Sequence, residues 1–306
     1  MRGRIHMRRG CRPKSVVISI ILVLAVAGCG SDNLQERPVA GMSSVVGTGP
    51  VNVLPPTVNE AKVMPRPVSR LQPGIQVLVG EASSTTVCTS GFYLDFPDPG
   101  NAGQRTAAFV IGAQCVHGDE DAPVSVMKNE ADGLAPTRTK VGQIVYRTPG
   151  EARPNVADRP WTMPTSPLAV FSAGPGESGL TVDGAVNGEP PTADTIQTAD
   201  VVQRRQAHAV WTDLDGRVVA GRVVDPAVAA ELRDIPPGID RVVVAADDPN
   251  TAIDAKIIGA PVTAEVDGST ANLGIITAVD PARRWVVVDL IAPFLVRHNA
   301  VLVVSR

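Results

Sequence analysis

A histidine beside acids, two serines flanked by glycine and a few cysteines are the residues of this chain that could do chemistry. His117 is followed closely by Asp119, Glu120 and Asp121. Such a group could hold a divalent ion, or the imidazole could act as a base. Acid runs of this kind are ordinarily solvated, and no metal is expected here. Gly176-Glu177-Ser178-Gly179 has the outline of a nucleophile motif, but its Gly/Pro-rich surroundings read as a turn. Asp267-Gly268-Ser269-Thr270 lies between two apolar runs and reads as a hairpin turn. His208 and His298 have no partner cluster in the sequence, and Trp161, Trp211 and Trp285 read as core or cleft-wall packing. Gly47-Thr48-Gly49 is not followed by a helix pattern, so no nucleotide loop and no cofactor are expected.

The elements that would position these residues are short and apolar. From Gly74 onward, strand-like runs recur between turn signals: Ile75–Val79, Thr86–Leu94, Ala107–Ile111, Val124–Met127, Val141–Tyr146 and Leu168–Phe171. A Gly/Pro/acid-rich stretch at 172–199 interrupts them. A second set follows: His208–Thr212, Arg217–Val224, Arg241–Ala245, Ile257–Val266, Leu273–Val279, Trp285–Leu290 and Val301–Val304. Strands of this length and spacing argue for an all-β sandwich or barrel, and their Val, Ile and Thr content favours strand over helix. Only Pro226–Arg233 and Ala292–His298 read as helical.

Two segments resemble the trypsin-like (chymotrypsin-fold) serine proteases. Val87-Cys88-Thr89-Ser90-Gly91-Phe92 and the strand ending in Ala113-Gln114-Cys115 match the first barrel of that family, in which the two cysteines bridge. The cysteine count agrees, because Cys11 would leave with a leader and Cys29 has another use, described below. No Cys-x-x-Cys pair or histidine cluster completes a metal site instead. The resemblance implies two Greek-key β-barrels over residues 74–306. It also implies three catalytic positions, and each holds an unsuitable residue. Gln114 stands where the family has its histidine, and a glutamine amide is neutral and shuttles no proton. Pro167, before Leu168-Ala169-Val170, takes the place of the aspartate and offers no acceptor to orient a base. Ile258, in Ile257-Ile258-Gly259-Ala260-Pro261-Val262, takes the place of the nucleophilic serine and has nothing to attack with. The scaffold is expected to be a protease's and the chemistry absent. A divergent hydrolase using Ser178 or Ser269 with His117 is the alternative.

The front of the chain reads as an export signal. Arg2, Arg4, Arg8, Arg9, Arg12 and Lys14 precede the apolar run Val16–Ala27. That run is short for a permanent span, which needs roughly 20 residues. Val26-Ala27-Gly28-Cys29 resembles a bacterial lipobox, which implies lipid on Cys29 and a mature chain starting there. An ordinary signal peptide or a retained helix are the other readings. Cleavage before Cys29 takes away six of the 28 basic side chains and none of the 31 acidic ones, leaving a formal charge of −9. A chain so charged has no electrostatic footprint for nucleic acid. With only five lysines among the basic residues, the composition is that of a GC-rich bacterial genome.

The expected organisation is a signal at 1–28, a flexible Pro/Gly-rich tether at 29–73 and a first barrel at 74–172. A connector at 173–199 and a second barrel at 200–306 complete it. The tether, if coil-like, would span roughly 35 Å. The function expected is that of a lipid-anchored, catalytically inactive binding protein on the extracytoplasmic face of the cell membrane. Its partner would be an envelope protein or peptide. A purely structural envelope lipoprotein is a further reading.

Overall fold

The computed structural model describes residues 57–58, 65–81, 85–116, 121–130, 134–148, 168–173, 178–229 and 240–304. The signal, Cys29, Pro167, His117, Asp119, Glu120, Trp161 and Gly47-Thr48-Gly49 lie outside the described residues.

Seventeen strands are described. The first sheet contains β1 (Thr57–Val58), β3 (Gln76–Val79), β4 (Thr85–Thr89), β5 (Tyr93–Pro97), β6 (Arg105–Gly112), β7 (Pro123–Lys128), β8 (Thr137–Arg147), β9 (Leu168–Ser172) and β17 (Val301–Leu302). Two short strands, β2 (Arg70–Leu71) and β10 (Thr181–Val182), pair with each other in parallel. The second sheet contains β11 (His208–Thr212), β12 (Val218–Val223), β13 (Arg241–Ala246), β14 (Pro261–Val266), β15 (Ser269–Asp280) and β16 (Trp285–Leu290).

The second sheet closes into a barrel in the order β11-β12-β13-β16-β15-β14. Its fourth strand therefore lies beside its first, the mark of a Greek key. The first sheet runs β1-β4-β3-β7-β8-β9-β6-β5-β17. Its flanks β4 and β5 are one stretch of chain, bent at Ser90–Phe92. The Gly91 N–H donates to Val110 O at the bend (2.7 Å), which ties it to β6. Counting β4–β5 as a single bent strand, this ring has the same order as the second barrel. The expected run Thr86–Leu94 is thus two strands, because Gly91 approaches Val110 too closely for any side chain. A Cβ there would come within 2.8 Å of the Val110 carbonyl oxygen. The architecture is all-β, two six-stranded Greek-key units of the same strand order, as expected.

Period-two alternation explains why the central runs are continuously apolar. On β6, Phe109 and Ile111 face the main core while Ala108 and Val110 face a second cluster. On β9, Ala169 and Phe171 join the first, Leu168 and Val170 the second. The second cluster is roofed by the helix Ile291–His298, through Ile291 and Phe294.

Four further expectations need correction. Ile257–Val266 is not one strand: Ala255–Ile257 forms a 3-10 turn and β14 begins at Pro261. Val301–Val304, expected in the second barrel, pairs through β17 with β5 of the first, Val301 opposite Asp95. A helix at Ala199–Arg205 was not expected; Ala199 and Val202 are buried, and Arg204 pairs with Asp200 one turn away. Residues 65–73, expected in the tether, run as a strap against the domain. Val68 exchanges backbone hydrogen bonds with Met127 and Asn129, while Arg70 pairs with Asp183 (2.9 Å) and Arg66 with Asp215 (2.6 Å). Prolines exclude regular ladders here, yet the apolar Val68 and Leu71 and the two arginines all find partners. Asp267-Gly268 is a two-residue hairpin turn, with φ of 56° and 76°, the pair of positive values that a type I′ turn requires.

Candidate functional site

Gln114 sits in the 3-10 turn Ala113–Cys115 at the end of β6. Two constraints set its direction. Cys115 is bonded to Cys88 on β4, with Cα atoms 6.1 Å apart. Gly112 leaves room for the glutamine to fold back, since a Cβ there would lie 2.8 Å from Gln114 Oε1. The side chain is 2 % exposed, and its Nε2 donates to the carbonyl oxygen of Thr277 on β15.

Ile258 follows the 3-10 turn Ala255–Ile257, whose first free amide is capped by Asp254 Oδ1 (2.8 Å from Lys256 N). The Ile258 carbonyl accepts from Thr89 N (2.9 Å), and Thr89 Oγ1 donates to the Lys256 carbonyl (2.8 Å). The next residue, Gly259, has φ of +101° and donates to Ile276 O (2.7 Å). A Cβ on Gly259 would fall 1.9 Å from Thr89 O, so the turn and β4 can meet only at a glycine. Ile258 is fully buried.

Gln114 from the first barrel and the Ile258–Gly259 turn from the second therefore dock on adjacent peptide groups, Thr277 and Ile276. Pro167 lies outside the described residues. The residue after it, Leu168, opens β9 opposite Gly112.

Sequence reasoning missed what lies beneath Gln114. Thr277 is a bulge in β15, where the register shifts between Ile276 and Ala278. Its Oγ1 donates to Asp289 Oδ2. Arg241, directly opposite Asp289 in the β13–β16 ladder, clasps that carboxylate with Nε at 3.1 Å and Nη2 at 3.0 Å. Both partners are almost wholly buried, at 5 % and 2 % side-chain exposure. Burial pushes the Asp289 carboxyl above the usual carboxylate range, against the pull of Arg241. The signal was present in the sequence: Asp289 is a lone acid in Trp285-Val286-Val287-Val288-Asp289-Leu290, and Arg241 opens Arg241-Val242-Val243-Val244. Charges in such apolar runs need each other.

The other candidates are dispersed. Ser178 is buried and its Oγ accepts from Leu180 N (3.2 Å). Ser269 is exposed at the β14–β15 hairpin. His208 lies 3.9 Å from Asp247, and His298 packs against Tyr146 in a tilted pair, 4.4 Å between ring centroids. Trp211 is buried core, while Trp285 is half-buried under Arg283. Among the described residues no serine hydroxyl is bonded to a histidine, and no group of three or more His, Cys, Asp or Glu is placed to hold a metal. No helix of the described residues is long and apolar enough to cross a membrane. Among the described residues the seam holds a neutral amide, an aliphatic side chain and a threonine already engaged, all buried.

No family model and no curated protein sequence match the chain. Among solved structures it is similar to a glutamic-acid-specific serine protease, with 13% identity over 76% of this chain and 100% of that one, and a TM-score of 0.44. Similar too is a Nocardiopsis protease, at 11% identity, 76% and 98% coverage and a TM-score of 0.44. The chymotrypsin of Cellulomonas bogoriensis shows 10% identity, 77% and 100% coverage and a TM-score of 0.43.

Proposed function

We propose that the protein is a lipid-anchored, catalytically inactive trypsin-like domain that holds a protein or peptide partner at the outer face of the cytoplasmic membrane. The observation that carries this reading is the closure of the barrel seam. Gln114 and Ile258 are buried, and Gln114 and the Ile258 backbone are bonded to neighbouring strands, so among the described residues these two positions supply neither a base nor a nucleophile, which supports the reading. A partner must therefore bind elsewhere on the surface. Anchoring rests on Cys29: one acyl chain holds only marginally, so the lipidated cysteine would carry at least two. The acidic mature chain suits protein ligands better than nucleic acid.

The test uses the full chain expressed in a bacterial host. A serine-reactive fluorophosphonate should leave the purified protein unlabelled, and the protein should fractionate with membranes in a Cys29-dependent way. Stoichiometric labelling at Ser178 or Ser269 would replace this reading with that of a divergent hydrolase.

A further inference from the structure

The barrel seam is shut, but one edge of the second barrel is open. In β12, Val219, Gly221 and Val223 bond inward to β11, as Val223 N does to Ala207 O (3.1 Å). By the alternation of an antiparallel ladder, Val218, Ala220 and Arg222 must turn their N–H and C=O groups to the other side. There β13 pairs only from Gly221 onward, and Asp247 N reaches back to Ala220 O (3.0 Å) before the chain turns away. The Val218 N–H and C=O and the Ala220 N–H are left with no backbone partner among the described residues. Val218 is 61% exposed. The edge forms one wall of a groove of about 560 Å³, within the size range of ligand clefts.

The groove has a marked charge. Asp213, Asp215, Asp247, Asp248 and Asp254 line it against a single basic residue, Arg217. Three of these acids are answered by neighbours: Asp215 by Arg66, Asp247 by Arg222 at 3.6 Å and Asp254 by Lys256 at 3.7 Å. Asp213 and Asp248 accept only backbone or amide N–H groups, and no basic side chain stands against them among the described residues.

We propose that the open edge of β12 is a docking site for an extended, basic segment of a partner protein, which adds to the second barrel as a further strand. Main-chain bonds to Val218 and Ala220 would supply the register, and Lys or Arg side chains would meet Asp213 and Asp248. This rests on the reading of the domain as a binding protein, and it names the surface and the chemistry of the partner.

The probe is a fluorescein-labelled peptide alternating valine and lysine over six residues, with a glutamate-for-lysine control, read by fluorescence anisotropy on the purified full chain in detergent. The lysine peptide should bind and the glutamate peptide should not. Raising salt from 50 to 300 mM should weaken binding about fivefold or more, as expected of exposed charges. Asp213→Asn with Asp248→Asn, which keeps an acceptor in both turns, should weaken it by a similar factor. Val218→Pro removes the outward N–H from an edge position that tolerates proline and should weaken binding about tenfold. Should that variant not fold, amide hydrogen exchange on the unaltered protein decides. Bound peptide should slow exchange at Val218 and Ala220. Equal binding of both peptides, no binding of the lysine peptide at millimolar concentration, or binding without slowed exchange at those amides would each overturn the proposal. Silence towards the fluorophosphonate would stand in any of those cases, so failure here is separable from failure of the inactive-domain reading.

Discussion

Replacing Arg241 with methionine tests whether the buried polar chain beneath Gln114 holds the second barrel together. The substitution keeps volume and removes one charge. It leaves the Asp289 carboxylate in the barrel interior with Thr277 Oγ1 as its remaining side-chain partner. Breaking a buried pair from one side costs about 3–5 kcal/mol, a large part of a typical domain's stability. Asp289→Leu takes the carboxylate away from the guanidinium instead and should also be destabilising. The double variant removes both charges. What remains is the Thr277 hydroxyl deprived of its acceptor, about 1–3 kcal/mol, and the Val287 carbonyl at 3.5 Å offers a substitute. The single losses should therefore overshoot the double by several kcal/mol. Urea unfolding at pH 7, followed by the fluorescence of buried Trp211, measures all four proteins. The pH dependence has a defined sign. Burial raises the Asp289 pKa, and losing Arg241 raises it further. A raised carboxyl binds protons more readily in the folded state, so it weakens folding as pH rises. Arg241→Met should accordingly lose less at pH 5 than at pH 8. Additive single losses, or a single loss below about 1 kcal/mol, would refute the reasoning.

Gly259→Ala should prevent stable folding or cost more than about 2 kcal/mol, because the new Cβ meets Thr89 O at 1.9 Å in a left-handed backbone; thermal melting checks it. Cys88→Ala with Cys115→Ala opens a bridge between residues 27 apart and should lower stability by about 3–4 kcal/mol in denaturant titration. Cys29→Ser should leave uncut precursor or release the protein from membranes, seen by fractionation; unchanged partition would remove lipid from the account. The imidazole of His298 packs among Phe96, Tyr146 and Phe294, and burial, then Arg297, holds its pKa below 6.5. A depressed histidine gives stability that is complete above its unfolded value and lost as pH falls through the folded one. The melting temperature should drop on acidification below about pH 6.5, and His298→Phe should flatten that slope.

Much of this was legible in the sequence because strands advertise themselves. His208–Thr212 and Trp285–Leu290 have the boundaries read from their apolar runs, since both lie in the barrel wall between clear turn signals. The turns that carry Gln114 and Ile258 stood out because cysteine, glycine and proline fix a backbone whatever side chain stands beside them. Other features were hidden because they depend on tertiary partners. The partner of Val301–Leu302 is a strand some 200 positions away, and local pattern says nothing of which sheet a two-residue strand joins. The strap at 65–73 looked like linker because what holds it lies elsewhere in the chain: the core around Leu71, the backbone of Met127 and Asn129, and the side chains of Asp183 and Asp215. Thr277 looked like any strand threonine until the bulge turned it toward Asp289.

The path of β17 has a bearing on how the protein is made. Val301 and Leu302 complete the outer side of β5, in the first barrel, only after the entire second barrel has been synthesised. Until they arrive, Leu94 and Asp95 present an unsatisfied strand margin in the half of the domain that is synthesised first. Such margins recruit other chains. The first sheet is thus completed only by the last strand of the chain, and rapid delivery of that strand would keep the margin from pairing with its neighbours.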